Sequence, residues 1–219
     1  MKVDRSKIKL VDGFKIRNYL DIEFNMLHHH GRNVSEPQFK FYIPEGEWWL
    51  SKTHEPELDF LIKVEEFEWP PEMKTFTEFR KYEKEILCLP PPIPEFVVSK
   101  EERGDKIIVM VNGAMVRLYL DPEFVVGGHN YVYDYIPKGE IWIDSVMEDT
   151  RELPYYITHE ITEYDLMAKG KDYEAAHDFA NAAEKEHRRS DGVAIYPFEP
   201  NYPWKKITND ELAKEFYVA

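Results

Sequence analysis

Apolar residues follow two different periods along this chain, and each period occurs twice. Ile8, Leu10 and Val11 alternate with charged positions, and residues 107–111 form a second run rich in β-branched side chains. Both runs end at a turn pair, Asp12-Gly13 in one case and Asn112-Gly113 in the other. Such pairs supply the positive φ angles of a two-residue turn, so each is expected to close a β-hairpin. Further strands are expected at residues 39–43 and 48–50, and again at 131–136 and 140–143, with Pro44-Glu45-Gly46 and Pro137-Lys138-Gly139 as the turns between them. The period then becomes helical. Leu153, Tyr156, Ile157, Ile161 and Tyr164 recur at helical spacing, Gly170 reads as a stop, and Ala176, Phe179, Ala180 and Ala183 share one face of a second helix over residues 171–189. The pattern predicts an α+β fold in which each copy is a small antiparallel sheet followed by a helical hairpin.

The two halves are copies of one another. Shifting the chain by 100 positions places residues 11–24 on 111–124 with 8 of 14 identical, among them Gly13/Gly113, Arg17/Arg117, Asp21/Asp121 and Phe24/Phe124. His29 and His129 continue the register. Tyr42-Ile43-Pro44 then matches Tyr135-Ile136-Pro137, and Glu57-Leu58 with Ile62, Glu65 and Glu68 matches Glu152-Leu153 with Ile157, Glu160 and Glu163. Three blocks in the same order define a tandem duplication. The first copy is assigned to residues 1–88 and the second to 106–189. Between them, residues 89–105 begin with Pro90-Pro91-Pro92, which stiffens the chain and withholds backbone donors, and read as a linker. Residues 190–219 form an aromatic, proline-rich tail with a short helix expected after Thr208 or Asn209, packing on the copies.

Composition narrows the function classes. A net charge of −14 gives a surface field that repels polyanions, which argues against broad nucleic-acid binding and favours cations. No apolar run approaches the roughly 20 residues of a membrane span. The single cysteine, Cys88, cannot form an internal disulfide, and the first ten residues hold no signal-peptide core, so a soluble cytoplasmic protein is expected. Gln38 is the only glutamine amid abundant Glu and Lys, a bias like that of heat-adapted proteins.

The chemistry concentrates in the second copy. His159 and Glu163 are four residues apart and share a helix face. With helix ends at Ala168 and Asp172, Glu163 lies five residues before the turn and His177 five after it, so both reach the same level of the hairpin. His159, Glu163 and His177 have the His₂Glu composition of catalytic zinc sites, which keep a fourth position for water. Glu160 stands where a general base would take a proton from that water. Asp144, at a strand end, and His129, after Gly127-Gly128, are candidates for a further ligand or for groups that orient the ligands. In the first copy Val64 stands opposite His159, Ser51 opposite Asp144, and no histidine can match His177. Both histidines therefore belong to one copy, as expected when one copy holds a site and its twin is a scaffold. The run His28-His29-His30 reads as structural.

The five residues His159-Glu160-Ile161-Thr162-Glu163 resemble the His-Glu-x-x-His helix of the zincin metallopeptidases, with Glu163 where that family has its second histidine. The resemblance covers about thirty residues and implies a hydrolase with His159 as a zinc ligand and Glu160 as base. More loosely, Gly127 to Tyr133, Glu140 to Asp144 and the His159 helix are similar to uncharacterised phage and archaeal-type proteins. The expectation is a metal-dependent hydrolase, most simply a zinc enzyme, acting on a peptide or small molecule. The rival reading is a duplicated scaffold or protein-binding module with a structural metal or none.

Overall fold

A computed structural model describes residues 2–29, 42–193 and 214–218. The chain divides into two compact units, Met1–Glu66 together with Gly192–Ala219, and Phe67–Asp191. The architecture is α+β with a two-copy arrangement, each copy contributing its own small sheet.

In the first unit, β1 (Ile8–Val11) leads into α1 (Gly13–Tyr19), β2 (Leu27–His29), β3 (Trp48–Ser51) and α2 (Leu58–Glu65). The sheet order is β1-β3-β2, with β1 parallel to β3 and β2 antiparallel to it. In the second unit come α3 (Phe76–Leu87), β4 (Val97–Arg103), β5 (Lys106–Val111), α4 (Gly113–Tyr119), β6 (Gly127–His129), β7 (Glu140–Asp144), α5 (Leu153–Ala168) and α6 (Tyr173–Ser190). Their sheet runs β4-β5-β7-β6, again with a parallel central pair, β5 and β7. Among the described residues the α5–α6 hairpin has no equivalent in the first unit.

The expected Asp-Gly and Asn-Gly hairpins are instead strand-to-helix junctions. Asp12 accepts a hydrogen bond from Lys15 N (2.9 Å) and Asn112 from Met115 N (3.1 Å), so both cap a helix rather than turn a hairpin. The glycines are needed for closeness and not for positive φ. A Cβ on Gly13 would overlap the Ser51 hydroxyl, and one on Gly113 the Asp144 carboxylate. A helix between two strands then carries the chain across, and this makes the central pairs parallel. The expected strand at 131–136 is a run of turns. Tyr133 N donates to His129 O (2.9 Å) and Ile136 N to Tyr133 O (3.1 Å). There the alternating aromatics fill the core, and Gly128 leaves room for the Tyr133 ring against its Cα. Tyr42 and Ile43 are likewise buried without forming a strand, and the rest of the expected 39–43 strand lies outside the described residues. Both Pro-x-Gly turns form, with Glu47 N on Pro44 O and Glu140 N on Pro137 O (each 3.0 Å) and the glycines at positive φ.

The expected linker contains β4, which pairs antiparallel with β5 from Val97 to Arg103. Its exposed, charged alternation hid it, because an edge strand with one solvated face resembles a polar connection. The compact units also divide at residues 66/67 rather than at 88. α3 lies in the second unit because Arg80 and Lys84 pair with the buried Asp121 (2.7 and 2.8 Å). Of the tail, Phe216 is fully buried in the first-unit core beside Trp49, and Val218 N donates to Leu10 O (3.0 Å). The helix expected after Thr208 or Asn209 lies outside the described residues.

The two cores repeat side chain for side chain. Val11, Ile16, Phe24, Ile43 and Trp49 build one, and Val111, Val116, Phe124, Ile136 and Trp142 the other. Arg17 and Arg117 each reach the carbonyl of the phenylalanine seven residues on, Phe24 and Phe124, at 3.1 Å. The duplicated residues thus encode one strand–helix–strand scaffold that runs on into a helix, α2 in the first copy and the longer α5 in the second, where α5 pairs with α6.

Candidate metal centre

α5 is anchored from below by buried Tyr155, Tyr156 and Ile157, and its next turns present His159, Glu160 and Glu163 inward, all less than a tenth exposed. Gly170 at positive φ ends it and Asp172, accepting from Ala175 N (2.8 Å), starts α6. Ala176 and Ala180, both fully buried, allow the close approach that places His177 opposite α5. The His159 and His177 rings are 5.0 Å apart, edge to face. His159, Glu163 and His177 each offer a ligand atom, and these atoms lie within 4.8 Å of one another. Two ligands of one ion stand at most about 4.2 Å apart, so a small side-chain adjustment closes the set.

The His159 ring is oriented for coordination. Its Nδ1 lies 3.1 Å from Glu184 Oε2, and its Nε2 faces Glu163 Oε2 at 3.7 Å. An Nδ1–H held by a carboxylate leaves the Nε2 lone pair for a cation, the usual carboxylate–histidine–metal arrangement. Glu184 is held by Arg188 (2.6 Å), which also reaches Glu152 (2.7 Å), and all three are buried. This Glu184–Arg188–Glu152 chain was not anticipated from sequence. The available signal was spacing, since Glu184 and Arg188 follow His177 by seven and eleven residues and so share its helix face. The Asn181 amide stands 3.3 Å from His177 Nδ1.

Glu163 is shared between two histidines. His129, fully buried at the end of β6, places Nε2 3.1 Å from Glu163 Oε1. The pair attract at that distance, yet Nε2 makes no hydrogen bond, because the ring nitrogen is not aligned on the oxygen. Glu160 completes a second group with His129 and Glu163, again within 4.8 Å. Its carboxylate lies against the β6 backbone, where a Cβ on Gly127 would come within 2.6 Å of Oε1. Burial pushes the Glu160 carboxyl up to about 7, with the His159 charge opposing and Glu163 reinforcing the shift. Burial also raises Glu163, but His129 and His159 outweigh it and hold that carboxyl at about 2. For His159, burial disfavours the charged ring, while Glu163 and Glu184 together raise it to about 10.

Asp144 does not join this group. Its carboxylate accepts from Arg117 (2.9 Å) and from Gly113 N (3.2 Å), a buried pairing that ties β7 to α4. In the first copy Ser51 takes that position, and α2 ends at Glu65, so Glu68 falls beyond the helix. Of the histidine run, His28 bonds Asn25 (2.8 Å) and His29 stacks on Trp48 (4.3 Å), while His30 lies outside the described residues. Among the described residues no helix is long and apolar enough to cross a membrane.

No protein-family model, no curated protein and no solved structure matches the chain.

Proposed function

We propose that the protein is a metal-dependent hydrolase with zincin-like chemistry, its ion held by His159, Glu163 and His177. The observation that carries the reading is the His159 ring, clamped at Nδ1 by Glu184 while Nε2 faces a carboxylate and a second histidine. A His₂Glu set favours zinc among divalent ions and keeps a position for water. Such an ion, when bound, would supply Lewis acidity and a more acidic water. Glu160 accepts the proton of the attacking water and returns it to the leaving nitrogen or oxygen, so that one bond to the acyl carbon forms and one breaks. A peptide amide is the substrate that the His159–Glu163 pattern favours.

One observation favours a second reading, a non-enzymatic scaffold. His159 bridges Glu163 and Glu184 and continues into Arg188 and Glu152, a buried ionic chain able to lock α5 to α6 with no ion present. Elemental analysis separates the two. A stoichiometric metal in the purified protein that is lost in His159→Ala, with hydrolysis of a fluorogenic peptide panel lost alongside, is the expected result. A metal-free protein of full stability overturns the hydrolase.

A further inference from the structure

We infer that the pocket binds a second divalent cation, held by His129, Glu160 and the outer oxygen of Glu163, with Glu163 bridging the two ions. The inference rests on the metal reading above and adds to it. The two oxygens of Glu163 face different histidines, Oε2 toward His159 Nε2 at 3.7 Å and Oε1 toward His129 Nε2 at 3.1 Å. With ion–ligand distances of roughly 2.1 Å, those separations correspond to ligand–ion–ligand angles of roughly 125° and 95°, on either side of tetrahedral. One carboxylate therefore has an ion position beside each oxygen.

The second position has its own evidence. His129 is fully buried, its Nδ1 accepts from Tyr131 N (3.3 Å), and its Nε2 faces Glu163 Oε1 at 3.1 Å without a hydrogen bond, so an ion there would take the place of the Nε2 proton. An ion roughly 2.1 Å from both atoms would lie about 40° off the Nε2–Oε1 line. Glu160, also buried, completes the triad within 4.8 Å. Arg188 brings one positive charge to both Glu184 and Glu152, so with Glu160 and Glu163 the buried carboxylates outnumber the cations Arg188 and a protonated His159. Two buried carboxylates so placed need further positive charge, and a second cation supplies it. With both ions bound Glu160 would be a ligand and the pair of ions would lower the pKa of the water, whereas with the His159 ion alone Glu160 is free to act as the base.

The test is metal stoichiometry on the full chain, stripped by chelation and titrated with Zn²⁺, with Mn²⁺ electron paramagnetic resonance in parallel. Wild type should take up two ions, and Mn²⁺ should give a spin-coupled signal. His129→Ala and the isosteric Glu160→Gln should each take up one, with the coupling replaced by an isolated-ion spectrum. A wild type that binds one ion, lost in His159→Ala and unchanged in His129→Ala and Glu160→Gln, overturns the second site and leaves the hydrolase standing. A wild type that binds none overturns both.

Discussion

His159 and Glu184 face each other across the α5–α6 hairpin, Nδ1 to Oε2 at 3.1 Å, with both side chains buried. The contact fixes the ring's angle before any ion arrives, and an ion would displace the Nε2 proton that faces Glu163. Glu184→Gln keeps the size of the side chain and removes the charge that holds Nδ1–H. It should weaken Zn²⁺ affinity by the ~10–100-fold typical of lost ligand-orienting partners, measured by competition with a chelating dye. Glu163→Gln should be worse, because it replaces a ligand. Equal affinity in wild type and Glu184→Gln would remove the clamp from the argument.

Stability should follow the duplicated core. Phe124 is fully buried and Trp142 nearly so, while Tyr119, its neighbour in the repeat pattern, is only half-buried. Phe124→Ala should therefore lower unfolding free energy by about 3–5 kcal/mol, as for other large core aromatics, and Tyr119→Ala by clearly less. Urea denaturation measures both, and equal losses would contradict the packing described.

Glu83 on α3 makes stability depend on pH away from the metal centre. Burial pushes its carboxyl up to about 8, with the charges of Glu123 and Asp121 adding to the shift and Arg80 opposing it. Its folded pKa lies above its unfolded value, so the folded state binds the extra proton. The stabilising contribution is complete below the unfolded carboxyl pKa, near 4.5, and is lost as pH rises toward 8. Glu83→Gln mimics the protonated form. It should stabilise the protein by at least ~1 kcal/mol at pH 9 and change little at pH 4.5, read from thermal melts across that range. An equal effect at both ends would mean that Glu83 does not titrate in this window.

Much of the fold and part of the site were legible in the residues. The duplication, the Pro-x-Gly turns and the α5–α6 hairpin follow from local spacing, and the hairpin alone brings His159, Glu163 and His177 together. Asp12-Gly13 and Asn112-Gly113 were misread because a helix cap and a hairpin turn use the same residue pair. The difference lies in a contact far along the chain, 38 positions on at Ser51 for Gly13 and 31 on at Asp144 for Gly113, which no local pattern contains. Glu184 and Arg188 carry no local signal of burial, because acidic and basic residues on a charged helix ordinarily face solvent. Only tertiary packing buries them.

The role of Glu160 is where the hydrolase and the scaffold part most clearly. A carboxylate that handles protons is needed for turnover but not for holding the ion at His159. Glu160→Gln should retain that ion and the fold while losing hydrolysis by at least the ~10² attributed to general-base catalysis. Gly127→Ala should act in the same direction from the other side. Its Cβ would stand 2.6 Å from Glu160 Oε1 and must displace the carboxylate. Glu65→Gln and Glu68→Gln, at the matching positions of the first copy, should leave both metal content and hydrolysis at wild-type levels. Metal analysis, a peptide-cleavage assay and a thermal melt on each variant complete the comparison. If Glu160→Gln loses the His159 ion as readily as Glu163→Gln does, Glu160 is not a base. If the four Gln variants only lower the melting temperature and none alters metal content, the glutamates serve the fold and the scaffold reading prevails.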